Sequence, residues 1–149
     1  MKRRTLTKAT WALAALITAG VAQAGPQVTI VFKNNGTVPA TFSPASSAEF
    51  LTRSAARQTP EAQVAGGGVS SYRVTSSYPP AISNATVRYT IGSKICVFKT
   101  SYISSHVRGG TIQPRWNKSE TSSGGARCDA RISSTNPADH SWVVEFTMR

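Results

Sequence analysis

Histidine, cysteine and carboxylate are all scarce in this chain: two His, two Cys and six Asp or Glu among 149 residues. Each scarcity narrows the chemistry. A structural zinc site needs about four Cys, His or carboxylate ligands close together, and His106 and His140 are far apart with only two thiols to help them. A hydrolase needs a nucleophile, a base and an orienting group, or two placed carboxylates. Asp139-His140-Ser141 supplies the residue types, but neighbours on a strand point to opposite faces and cannot form a triad by themselves. Glu49, Glu61, Glu120, Asp129, Asp139 and Glu145 show no pairing pattern. Gly66-Gly67-Gly68 lacks the Lys-Ser/Thr pair that a phosphate-cradling P-loop requires and reads as a turn. The expectation is a protein that is not an enzyme and holds no metal or cofactor. Long apolar runs are missing too, outside the first two dozen residues.

Those first residues read as an export signal. Lys2, Arg3, Arg4 and Lys8 precede the apolar stretch Trp11–Val21, which is short for a bilayer span, and Ala22-Gln23-Ala24 is a small-x-small cleavage site. The sequence therefore predicts a signal peptide over residues 1–24 and one domain over 25–149. Removing the leader's four cations from the formal charge of +11 leaves +7. That charge favours anionic partners: anionic lipid, an envelope glycan or an acidic protein. No specific nucleic-acid motif is present. Cys96 and Cys128 are an even pair in an exported chain, which predicts one disulfide.

Period-two alternation dominates the remainder. Ala85, Val87, Tyr89 and Ile91 share one face against Thr86, Arg88 and Thr90, and Gly92-Ser93 supplies a two-residue turn. On the return strand Ile95, Val97 and Lys99 alternate with Cys96 and Phe98, so both faces carry apolar groups and the strand reads as central. Gln27–Lys33 is a strand with Val28, Ile30 and Phe32 on one side. Asn34-Asn35-Gly36 is a turn signal from which Thr37–Ser43 can return as a partner, placed at an edge by Pro39. Ala48–Arg57 fits a short helix or a bent strand. Val69–Thr75, Ala126–Ile132 and Ser141–Met148 alternate again, the last with Trp142, Val144, Phe146 and Met148 on one face. Ser101–Arg108 continues the central strand, and Ile112–Gly125 reads as loop-rich. The fold expected is all-β: a compact sandwich of about eight antiparallel strands with one disulfide.

Candidate contact residues come from cations and aromatics in the predicted loops. Arg108, Arg115 and Lys118 are basic, and Trp116 sits between two of them, placed either to stack on a sugar or lipid interface or to anchor a loop. Tyr78 heads the stiff Tyr78-Pro79-Pro80 connection, and Tyr102 follows the central hairpin.

Three segments, VTIVFKNNGTV at Val28–Val38, ATVRYTIGSKICVF running into TSYI, and the closing SWVVEFTM, resemble the actinoporin and aegerolysin type of cytolysin sandwich. The likeness is one of strand rhythm and covers about half of the chain after residue 24. It implies a sandwich that recognises membrane lipid through exposed aromatics and cations, with Tyr102 matching the family's post-hairpin loop. After Ala24 the chain enters a strand almost at once, without the N-terminal amphipathic helix that actinoporins insert, so the resemblance extends to surface recognition and leaves pore formation open. The functional expectation is an exported, periplasmic or secreted bacterial protein that recognises an anionic or glycan-bearing surface without catalysis. The alternatives are an envelope protein–protein module (immunity protein, inhibitor or assembly subunit) and a small secreted toxin or hydrolase.

Overall fold

The structure, a computed structural model, describes residues 24–149; the expected leader lies outside the described residues except for Ala24. In chain order the elements are β1 (Gln27–Asn34), β2 (Ala40–Phe42), α1 (Ser47–Ser54), β3 (Gln63–Val64), β4 (Val69–Thr75), β5 (Ile82–Ile91), β6 (Lys94–His106), β7 (Ile112–Ser123), β8 (Cys128–Thr135) and β9 (Trp142–Met148). They form two sheets, one of four strands in the order β4-β1-β9-β8 and one of five in the order β3-β2-β5-β6-β7. The all-β sandwich with its disulfide is thus present. It has nine strands, and the β1/β9 pair runs parallel while the other pairs are antiparallel.

Alternation decides what lies between the layers. Val28, Ile30 and Phe32 of β1 and Trp142, Val144 and Phe146 of β9 meet Val87 and Tyr89 of β5 and Phe98 of β6. Phe32 stacks on Tyr89 with ring centroids 3.5 Å apart, and Phe98 stacks on Phe146 at 4.6 Å. Such pairs contribute beyond the area they remove from water. The two buried phenols, Tyr72 and Tyr89, share a 3.3 Å hydrogen bond, and burial raises both above the ordinary tyrosine range. The disulfide Cys96–Cys128 spans 32 residues and joins β6 of one sheet to β8 of the other.

The central hairpin forms as its sequence predicts. Ile91 pairs with Lys94 across Gly92-Ser93, and Gly92 has φ 58°, the left-handed value that a tight primed turn takes at its first central position. β6 is central, with β5 on one side and β7 on the other.

Two expectations change. The segment after Asn34-Asn35-Gly36 does not return beside β1: β1 pairs with β4 and β9, whereas β2 crosses to the other sheet and pairs with β3 and β5. Asn34 explains the crossing. Fully buried, its amide donates to the carbonyls of Val38, Val64 and Ala65 at 2.8–3.1 Å and its Oδ1 accepts from Gly36 N–H. This ties the loop to β3 instead of releasing it into a hairpin. Gly66 packs so closely on Thr37 that any Cβ there would strike the Thr37 backbone, which gives the glycine run its structural reason. Asn34→Ala takes the side-chain donor from the Val38, Val64 and Ala65 carbonyls, the last of which keeps the Gly68 amide, and takes the acceptor from the Gly36 amide; we expect it to cost about 1–3 kcal/mol, read as a shift of the urea midpoint at unchanged slope.

The second change is β7. The stretch read as loop-rich is a twelve-residue edge strand paired along its length with β6. Most of its side chains are exposed on either face, so no apolar period marks it.

Candidate functional site

The outer face of the five-stranded sheet follows from register. Directly opposed residues share a face. Because Ser83, Ala85, Val87 and Tyr89 are buried, their neighbours on β5 point outward. Cross-strand rows on that face read Ile82–Ile103–Arg115, then Asn84–Ser101–Asn117, then Thr86–Lys99–Ser119, then Arg88–Val97–Thr121.

Helix α1 borders this face and is held there by three devices. β2 is too short to cover β5 beyond Tyr89, so the Thr86 N–H donates instead to the Thr52 hydroxyl on the helix at 2.8 Å. Ser46 and Glu49 form a capping box, which starts the helix. Glu49, 1% exposed, also receives Arg88 from β5 through hydrogen bonds of 3.0–3.2 Å and the Ala45 amide at 2.6 Å. Burial alone would raise the Glu49 carboxyl; the Arg88 hydrogen bonds, the Ala45 and Ser46 amides and the Arg88 charge outweigh it and hold the pKa at about 2.

Between α1, the Ser76–Tyr78 loop and β7 the face sinks into an open trough with a cavity volume of about 870 Å³. Its floor holds the Asn84 and Thr86 rows, Lys99 stands in it, Leu51 and Tyr78 line its sides, and Lys118 lies at the β7 margin. Lys118 is 3.6 Å from Glu120, and Arg88 is taken by Glu49. Lys99 has no ion-pair partner among the described residues.

At the end of the same sheet, β6 turns into β7 through Val107–Thr111, closed by the Val107 amide on the Thr111 carbonyl and shaped by Gly109 and Gly110 at positive φ. Arg108 is exposed in that turn. At this end of the sheet Ile82 and Ile103, in the outermost row with Arg115, and Val107 and Ile112, beside the turn, are 40–51% exposed, and Tyr78 is 46% exposed.

The six contact candidates therefore divide. Tyr78, Arg108 and Arg115 are exposed toward this end, and Tyr78 and Lys118 reach the trough. Tyr102 is a correction: it lies on β6 at 2% exposure, its ring packed among Trp116, His140 and Trp142, and is unavailable to a surface. The inward alternation of Cys96, Phe98 and Thr100 continues to it, a signal present in the sequence. Trp116 resolves to the anchor reading. It is half-buried opposite Tyr102, and its Nε1 donates to the His140 carbonyl at 3.1 Å. Arg115, Trp116 and Lys118 sit on a strand, not in a loop. Lys99, Asn84 and Thr86 are not singled out by the sequence, because only α1 and the Tyr78 loop, distant in sequence, turn their flat face into a trough.

Glu145 and Asp139 are engaged separately. Glu145 lies between Lys33 at 2.7 Å and Arg131 at 3.3 Å, and these partners hold its pKa below the usual range. Asp139 accepts from the Ser141 hydroxyl and amide at 2.7 and 2.9 Å, which lowers its pKa and closes a local turn. Among the described residues no group of three or more His, Cys, Asp or Glu could hold a metal ion. No protein-family model matches the chain, and no curated protein sequence matches it.

Proposed function

We propose that this is an exported, non-catalytic recognition module that docks on an anionic membrane surface through the end of the sheet where β6 turns into β7. The observation that supports it most directly is the concentration there of exposed apolar side chains with cations. Ile82 and Ile103 share the outermost row with Arg115, and Val107 and Ile112 flank the turn that carries Arg108; neither arginine has an ion-pair partner among the described residues. Scattered exposed apolars need no explanation, but a cluster of them beside free guanidinium groups does. Arginine meets lipid phosphate through paired N–H donors, and apolar side chains on a turn can enter the headgroup–acyl boundary, with Tyr78 suited to the interface. The inter-sheet disulfide and the net positive charge fit an oxidising compartment and an anionic partner.

Co-sedimentation with vesicles tests it. The protein should bind vesicles containing phosphatidylglycerol, fail to bind pure phosphatidylcholine, and release as salt rises. The double variant Arg108→Gln/Arg115→Gln should lose about 2 kcal/mol of binding, or roughly thirtyfold. Equal binding to neutral vesicles, or none to anionic vesicles at low salt, would sink the reading.

A further inference from the structure

We propose that the trough between α1 and β7 is a separate binding site for a saccharide carrying a carboxylate, sulfate or phosphate group. This goes beyond surface docking: the polar floor and Lys99 of the trough are distinct from the arginines and isoleucines of the β6–β7 end, and Tyr78 borders both.

The floor supplies the first argument. Asn84, Thr86 and Ser119 make no side-chain hydrogen bond within the described residues, and Asn117 reaches only Ser101 Oγ at 3.5 Å. An apolar occupant would have to strip water from these groups without replacing it, at a cost for each. A sugar offers hydroxyls that both donate and accept, matching the hydroxyls and amides here. Strands about 4.8 Å apart place successive groups of a row at the scale of a pyranose ring.

Charge supplies the second argument. The acidic residue of the trough, Glu49, is consumed by Arg88 and by backbone amides. Among the described residues Lys99 is left as the uncompensated charge in the middle of the floor, exposed and flanked by Thr86 and Ser119. A neutral sugar would leave that ammonium unanswered, whereas an acidic group would form a charge-assisted hydrogen bond with it.

Shape supplies the third. A volume of about 870 Å³ lies in the range of small-molecule pockets and far exceeds a single ion. Tyr78 at one side and Leu51 at the other give a saccharide's apolar C–H faces something to pack on. A peptide strand would instead use an exposed sheet edge, and the floor is a sheet face.

The probe is a panel of soluble oligosaccharides, neutral, uronate-bearing, sulfated and phosphorylated, titrated against the folded protein, with the same acidic sugars also presented on lipid in phosphatidylcholine vesicles. Acidic members should bind and neutral ones should not. Lys99→Gln should weaken binding roughly tenfold or more, Ser119→Trp should block it by filling the floor, and Arg108→Gln/Arg115→Gln should leave it intact. Binding in solution identifies a free polysaccharide as the source; binding only on vesicles identifies a lipid headgroup. The proposal fails if no acidic sugar binds in either form, if Lys99→Gln binds as the parent does, or if binding is lost with the arginine pair and kept by both trough variants. That last result would leave surface docking standing. Loss of vesicle docking alone would leave the trough standing.

Discussion

Replacing Cys96 and Cys128 together by serine should lower folding stability by roughly 3–4 kcal/mol and the melting temperature by roughly 10–15 °C. The bond joins β6 to β8, strands in different sheets, across a sequence separation of 32 residues. Without it the unfolded chain regains the freedom of a loop of that size, which the chain-entropy relation converts to the stated figure. Each sheet retains its own hydrogen-bonded ladder, so the loss falls on their docking. Cys96 is fully buried, and a serine hydroxyl there must find a partner or add its own desolvation cost. The parent protein with and without reductant, beside the double serine and double alanine variants, separates the two contributions in thermal melts. Alanine removes the cross-link alone, and serine adds a polar group. A double alanine variant melting within about 3 °C of the oxidised parent would show that the sheets hold each other without the bond.

Much of the fold was legible because half-buried strands write their faces into the sequence. Val69–Thr75 and Trp142–Met148 alternate without a break, and both strands carry that pattern into the structure. β7 shows the limit. An edge strand with solvent over most of both faces has no burial to encode, and its pairing depends on the backbone of β6. β2 shows another. Its three residues are placed by Asn34, whose side chain reaches carbonyls thirty residues away, and no local signal reports that.

The helix lay between these cases. Ser46-x-x-Glu49 is a helix-start pattern, but a window opening at Ala48 omits the cap and leaves only a mixed segment. For contact residues, charge and exposure could be read for Arg108 and Arg115 without knowing the fold. Tyr102 could have been excluded by continuing the inward period one step beyond Thr100. The trough could not be read, because Lys99 gains its setting from α1 and Tyr78, which tertiary packing alone brings together.

Glu49→Ala is expected to cost about 3–5 kcal/mol, the range for removing one partner of a buried ion pair. Three losses coincide. Arg88, whose side chain is 26% exposed, keeps a partly buried charge with no counter-ion. The amides of Ala45 and Ser46 lose their acceptor. The Ser46 contact is one half of the helix's capping box, so its loss also weakens the support that lets Thr52 cover the Thr86 amide at the open edge of β5. Amide exchange should therefore accelerate at Thr86 and across α1 before it does in β1 or β9. The parent protein carries a pH signature of the same pair. The carboxyl falls from an ordinary 4.5 to about 2 on folding. A group with a depressed folded pKa contributes its full stability above the unfolded value and loses it as pH drops toward the folded one. The parent should hold that contribution, about 3 kcal/mol, at pH 5 and surrender it between pH 4.5 and 2. Glu49→Gln keeps the side chain's size and removes the titration, so urea unfolding of this variant should be flatter across that window while starting from a lower value at pH 7. Parallel pH profiles for parent and Glu49→Gln would mean that Arg88 and the backbone amides do not hold this carboxylate, and that α1 is fastened to β5 by Thr52 alone.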